Sequence, residues 1–376
     1  MERVKKENRS LILKYINDNG PVSRIDIAEA TGLTAASVTQ ITTALIAEKI
    51  LLEVGISPES TGTAGRKKIL LDINPDMAWV FSVNIESETT TIAICNIRGN
   101  IIGSSIRQFP TDKKTKAEKF LYYVSDICVS LATELNARQR KLIQCVSVGI
   151  PGIVDKENGI AVHAYGIWKE AVNVSEILSK RLSLPVILEN NVNAFSTAEI
   201  LFGTGKNYDS LLVIKWGPGV GSTIVINKKV YEGRHGKTAE LGHFIVEKNG
   251  KQCSCGRRGC LETLLSYKEL KKIAPFTPEG FGKAYLGSSA AVRKSFDNAI
   301  DLFARSIVNT STIIAPNRII LSGSLFKSEI IRDKLIEFCK VYDPAYNENR
   351  VCYTALSDRE SYIGPVAVYL DRTLFG

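Results

Sequence analysis

Residues 243–262 read HFIVEKNGKQCSCGRRGCLE. Three thiols and one imidazole, His243, Cys253, Cys255 and Cys260, form a complete tetrahedral donor set for zinc. Gly256 and Gly259 allow the backbone to turn tightly where a β-carbon would crowd an ion. With all four groups bound no coordination position stays open, so the expected Zn2+ is structural rather than a Lewis acid. The competing reading, three unrelated thiols, suits this density and these flanking glycines poorly. The other five cysteines (95, 128, 145, 339 and 352) stand singly among apolar residues and read as reduced core thiols of a cytoplasmic chain.

The 376 residues suffice for two or three compact units. No run of about 18 apolar residues occurs, so no membrane span is expected, and the polar start MERVKKENRS does not read as a signal peptide. A cytoplasmic location is expected. The net charge of +9 is compatible with an acidic partner such as DNA. Residues 1–72 nevertheless hold ten Lys/Arg against nine Asp/Glu, so local placement must carry any case for DNA.

Leu11, Ile12, Tyr15 and Ile16 give a first helix its apolar stripe, and Asn19-Gly20-Pro21 stops it. Ser23 caps a second helix over Arg24–Ala30, Thr31-Gly32-Leu33 turns, and Thr34 caps a third, AASVTQITTALIAEKI. Helix, glycine-containing turn and helix form the helix-turn-helix pattern. The strands LLEVGIS and RKKILLDI then flank the loop PESTGTAG as a wing. Ser23, Arg24, Ala35, Ser37, Thr39, Gln40 and Thr43, with Arg66 and Lys67 on the wing, are the expected DNA contacts; Gln40 suits adenine. A helical bundle without DNA contact is the alternative, and helix plus basic wing weigh against it. The boundary falls near Asn74-Pro75, giving residues 1–75 and 76–376.

Beyond it, strand patterns WVFSVNIE, TTIAICNI and NIIGSSIR lead into a strand–helix alternation, which restarts near Ser210 with LLVIKW and STIVIN. This is α/β with two halves, each opening on antiparallel strands. The stretch PVILENNVNAF brings Glu189, Asn190 and Asn191 to a strand end, and GIPGIVD places Gly152 at another. Glu240, His243 and Glu262 bracket the cysteine loop. Acceptors and amides in this mixture suit a neutral sugar. Solvated surface groups are the bland alternative.

With the AGRKK wing, GIPGIVD, LPVILENNVNA, GPGVG, AELGHF and CSCGRRGCLE on the page, the chain resembles the ROK family, which groups sugar-responsive repressors with sugar kinases. The resemblance implies a winged helix followed by a two-lobed, actin-like, ribonuclease-H-like domain. It also implies a zinc-organised sugar site between the lobes, and dimers or tetramers. Two departures stand out. Family kinases carry a general-base Asp where Asn191 stands here, and an amide cannot take a proton. Their phosphate loop, Asp-x-Gly-Gly-Thr-Lys, is replaced by Asn84-Ile-Glu86-Ser87-Glu88-Thr89, whose carboxylates repel a triphosphate. The expectation is a transcriptional regulator that binds operator DNA and is answerable to a sugar it does not phosphorylate. The alternatives are an ATP-dependent sugar kinase with a DNA-binding head and a regulator whose lobes have lost sugar affinity. Sugar contacts are expected from Asn190, Asn191, Glu240, His243, Glu262 and Gly152.

Overall fold

The structure is a computed structural model that describes residues 2–57, 68–233 and 239–375. The head comprises α1 (Glu2–Asn19), β1 (Val22–Ser23), α2 (Arg24–Thr31), α3 (Ala35–Ala47), β2 (Leu51–Ile56) and β3 (Ile69–Ile73). Local chemistry sets each boundary. Ser23 and Asp26 cap α2 reciprocally, Gly32 ends it at φ 69, and Thr34 accepts from Ser37 N at the start of α3. The third helix stops at Ala47, three residues earlier than its pattern suggests, because Lys49 turns the chain at φ 60 and Ile50 enters the core. β3 lies between β1 and β2, which ties the wing hairpin to the start of α2 and completes a winged helix-turn-helix. The wing tip, with Arg66 and Lys67, lies outside the described residues.

Lobe 1 holds β4 (Trp79–Ile85), β5 (Thr89–Asn96), β6 (Ile101–Pro110), α4 (Ala117–Thr133), α5 (Ala137–Arg140) and β7 (Ile143–Ile150). It continues with β8 (Ile153–Asp155), β9 (Ile160–His163), β10 (Val172–Asn173), α6 (Val174–Leu182), β11 (Val186–Asn190) and α7 (Asn191–Phe202). Lobe 2 opens with β12 (Leu211–Trp216), β13 (Val220–Ile226) and β14 (Lys229–Val230), followed by α8 (Glu262–Leu265), α9 (Tyr267–Ile273) and α10 (Phe281–Gly287). The chain closes with α11 (Ala290–Ile314), β15 (Arg318–Ser322), α12 (Glu329–Tyr342), β16 (Val351–Tyr353) and α13 (Ile363–Leu370).

The two large sheets run β6-β5-β4-β7-β11 and β14-β13-β12-β15-β16. In each, the first strand pairs antiparallel with the second and parallel with the fourth. One topology therefore occurs twice, as a two-lobed actin-like fold requires. β4 and β12 are buried along their whole length, which explains why both read as continuous apolar runs rather than alternating ones. The lobe cores are separate: Phe81, Phe120 and Trp168 centre one, Trp216, Phe281, Phe303 and Phe326 the other.

A third apolar cluster joins Ile12, Leu13 and Ile16 of the head to Leu370, Leu374 and Phe375 at the chain end. The run IGPVAVYL that forms α13 escapes sequence reading, because a short apolar run suits a buried strand or helix equally. Within it Gly364 lets α13 approach α7, where a β-carbon would stand 3.0 Å from the Ala194 carbonyl carbon. No helix among the described residues is long and apolar enough to cross a membrane.

Candidate functional site

The carboxyl ends of β4, β7, β11 and β12 converge on a cleft of about 260 Å³ between the lobes, the usual place for a ligand in an open α/β sheet. Gly152, Asn190, Asn191, Glu240, His243 and Glu262, all expected at the sugar site, line it together. Glu189 does not. Strand alternation turns its side chain to the opposite side of β11, where it is 6% exposed and pairs with Lys156 at 2.5 Å and Arg372 at 3.5 Å.

Asn190 is chiefly an N-cap. Its Oδ1 accepts from Val192 N at 2.9 Å and Asn193 N at 3.1 Å, and its Nδ2 donates to the Gly152 carbonyl at 2.8 Å. One amide hydrogen is left for a ligand. Gly152 has φ 95, and a β-carbon there would lie 2.0 Å from the His163 carbonyl oxygen, so glycine is required. Asn191 behaves differently: it is 9% exposed, and its buried Oδ1 has no hydrogen-bond partner among the described residues. Such an acceptor costs about 1–3 kcal/mol unless a donor meets it, the role a ligand hydroxyl can fill.

The other wall is the cysteine loop. His243 Nδ1 lies 3.5 Å from Cys253 Sγ, and Cys255 Sγ lies 3.7 Å from Cys260 Sγ. The four donor atoms all fall within 4.8 Å of one another. A zinc tetrahedron has sulfur–sulfur edges of about 3.8 Å and sulfur–nitrogen edges of about 3.5 Å, given bond lengths of about 2.3 and 2.0–2.1 Å. Two edges of the cluster match that tetrahedron, and the full set needs only a small contraction to close on a metal ion. Gly259, at φ 73, cannot be replaced, since a β-carbon would meet the Glu247 carbonyl oxygen at 1.8 Å. Burial, aided by the Arg257 charge, lowers the His243 pKa to about 4 and keeps the imidazole neutral, the form a metal binds. Burial opposes the Cys255 thiolate, but hydrogen bonds from Arg257, Cys253 and Cys260 win and lower its pKa.

The remaining imidazole nitrogen, Nε2, faces Glu240 at 3.9 Å. Burial and then the neighbouring Glu262 raise the Glu240 pKa to about 7, and burial raises that of Glu262, which accepts weakly from Val220 N at 3.4 Å. Two carboxyl groups with raised pKa values in one wall suit uncharged hydroxyls better than an anion.

Two features escape sequence reading. Tyr165 stacks edge-on against His243 at 5.3 Å and lines the cleft from lobe 1. Its local sequence, AYGIW, carries no signal of that role. The second is an ion triad. Lys215, on β12 of lobe 2, is 7% exposed; it meets Glu86 of lobe 1 in a short hydrogen-bonded pair and Glu360 at 3.2 Å. Glu360 in turn accepts from Gly323 N at 3.1 Å. A lysine inside the apolar run LLVIKW is a visible oddity, but its partners lie far away in sequence. A lysine from the opposite lobe thus already holds the Glu86 end of the cleft. The GPGVG turn packs tightly as well: β-carbons would clash with Tyr267 at Gly217 and with Val192 at Gly221.

In the head, Ala35, Ala36, Thr39, Gln40 and Thr43 form an exposed face of α3, and Ser37 is half-buried beside its cap Thr34. Ser23 corrects the expected DNA surface, and Arg24 is partly engaged within the head. Ser23 is 2% exposed and occupied by the capping box. Arg24 donates to Thr42 at 3.0 Å and reaches Glu53 at 3.4 Å, which holds α2 to α3 and to the wing strand.

Known proteins align with this arrangement along its length. The xylose repressor of Bacillus subtilis (strain 168) is 25% identical over 382 residues, covering 99% of this chain and 97% of its own. The transcriptional dual regulator NagC of Escherichia coli (strain K12) is 24% identical over 395 residues, covering 100% and 95%. A crystal structure of a ROK family transcriptional regulator, a homologue of the Escherichia coli MLC protein, superposes with a TM-score of 0.77 at 22% identity over 99% of this chain and 97% of that one. The ROK family model itself matches residues 81–372, and the chain therefore belongs to the ROK family.

Proposed function

We propose that the chain is a cytoplasmic, sugar-responsive transcriptional repressor whose kinase-like lobes bind a sugar without phosphorylating it. The observation that carries this is Asn191: its buried Oδ1 lacks a partner among the described residues, at the place where the resemblance puts the general base of family kinases. An amide accepts a hydroxyl hydrogen bond there but cannot remove the proton. The Lys215–Glu86–Glu360 triad supports the same reading, since two carboxylates and a neutralised lysine make a poor seat for a triphosphate. Names of full-length relatives, xylose repressor and NagC, support a neutral monosaccharide as ligand and DNA as partner.

In this reading zinc, held by His243, Cys253, Cys255 and Cys260, fixes the wall that carries Glu240 and Glu262. Asn191, the free amide hydrogen of Asn190, the Gly152 backbone, Glu240, His243 Nε2 and Glu262 contact the sugar's hydroxyls. The exposed face of α3 enters the major groove, with Gln40 reading a base and Arg66 and Lys67 of the wing meeting the backbone. A homodimer places two heads on half-sites about 34–36 Å apart or a multiple of that spacing.

Thermal denaturation of the purified protein with D-xylose, D-glucose or N-acetyl-D-glucosamine tests the reading. One sugar is expected to stabilise the protein, by about 2.7 kcal/mol at a hundredfold excess over its Kd, while ATP with that sugar yields no sugar phosphate. Catalytic turnover with ATP would overturn it.

A further inference from the structure

We infer that Asn17, at the end of the head's first helix, is the positioning residue that couples the sugar cleft to the DNA-binding head, through helix α7. The inference rests on the proposed sugar-responsive function and names how that response leaves the site.

α7 is the element both ends share. Its first turn carries Asn191, Val192 and Asn193 into the cleft and is anchored by the Asn190 cap. Its twelve residues span about 18 Å, and its last turn lies against the head. Helix ends leave carbonyl groups without intrahelical partners, and here the ends of α1 and α7 find them across the junction. The Asn17 Nδ2 donates to the Leu201 carbonyl of α7 at 3.2 Å. The Asn17 carbonyl, in the last turn of α1, accepts from Lys206 Nζ just beyond α7, also at 3.2 Å. A third tie is made by Arg98, in the β5–β6 turn, which donates to Asn17 Oδ1 at 3.2 Å and pairs with Asp72 of β3 at 2.5 Å. The Asn17 side chain is 4% exposed, so water does not substitute easily for these partners.

One head residue is thus gripped by three groups of the sensor, two of them at the far end of the helix whose near end lines the cleft. A helix transmits displacement as a nearly rigid rod, because bending it must distort backbone hydrogen bonds. Inside the head, Ile12, Leu13 and Ile16 of α1 share a core with Val38 and Leu45 of α3. A shift of α7 reaching Asn17 therefore reorients the DNA-reading helix. The link switches DNA affinity only if sugar favours one of two α7 positions.

The test uses the full-length protein with Asn17→Ala and, as a second variant that leaves the Asn17 side chain in place, Lys206→Met. An operator duplex selected from a random pool supplies the DNA probe; D-xylose, D-glucose and N-acetyl-D-glucosamine supply the sugars. In the wild type the stabilising sugar is expected to change operator Kd at least tenfold. In both variants sugar Kd and sugar-free operator Kd should stay within about threefold of wild type, while the sugar-induced change shrinks to under threefold. Variants that respond as fully as wild type overturn the inference alone. A wild type whose operator Kd no sugar changes overturns the functional reading and this inference with it.

Discussion

Lys215→Met is expected to destabilise the protein by about 3–5 kcal/mol, the cost of removing one partner from a buried ion pair. The wild-type ammonium sits among apolar neighbours of β12, and burial alone would push its pKa down. Glu86 and Glu360 more than reverse that, and the pKa lies above the ordinary lysine value. Without the lysine, the two half-buried carboxylates that reach its ammonium lose the cation they share. Urea denaturation measures the loss. A triple variant, Lys215→Met with Glu86→Gln and Glu360→Gln, should recover at least half of it, because replacing every member of a buried ionic cluster is far less costly than orphaning some. A single variant as stable as wild type would mean that the triad ties nothing together. The triad spans both lobes, so its loss also loosens their relative position.

Cys260→Ser, or removal of metal with a chelator, should abolish sugar-induced stabilisation while leaving sugar-free operator binding within about threefold of wild type. Cys260 is fully buried, and its neighbours carry Glu262 at one end of the loop and His243 with Glu240 at the other. Metal binding and folding are one process in such loops. Three ligands hold the ion less tightly and leave a hydroxyl in an apolar wall. The head packs in one apolar cluster with the chain end, while Leu241 and Leu261 beside the cysteine loop belong to the core of lobe 2, so the head's DNA face survives. Elemental analysis should find about one zinc per chain in wild type, as a closed four-ligand site implies, and much less in the variant. A metal-free protein that responds normally to sugar would separate the cysteine loop from sensing.

Much of the site was legible because its chemistry is local in sequence. The His-Cys ligand set lies within eighteen residues, and the Asn190-Asn191 pair follows a readable strand. The repeated strand–helix pattern read as α/β with two halves for the same reason, and the resemblance to the ROK family supplied the two-lobed fold. What escaped reading depends on the third dimension. Glu189 neighbours Asn190 in sequence, yet the two-residue period of a strand sends it to another chamber. Lys215 needs Glu86 and Glu360, which only folding brings near. Ser23 and Arg24 stand at a helix start that suits a DNA contact or an internal tie equally; burial commits Ser23 to the cap, and Arg24 reaches Thr42 and Glu53. Asn17 reads as the end of a helix until α7 is seen lying against it.

The most direct test of sugar sensing is fluorescence anisotropy of a labelled operator duplex titrated with the intact, zinc-loaded protein, with and without saturating stabilising sugar. A change in operator Kd of tenfold or more is expected, a coupling of about 1.4 kcal/mol. An operator Kd that stays the same under a sugar shown to bind would contradict it.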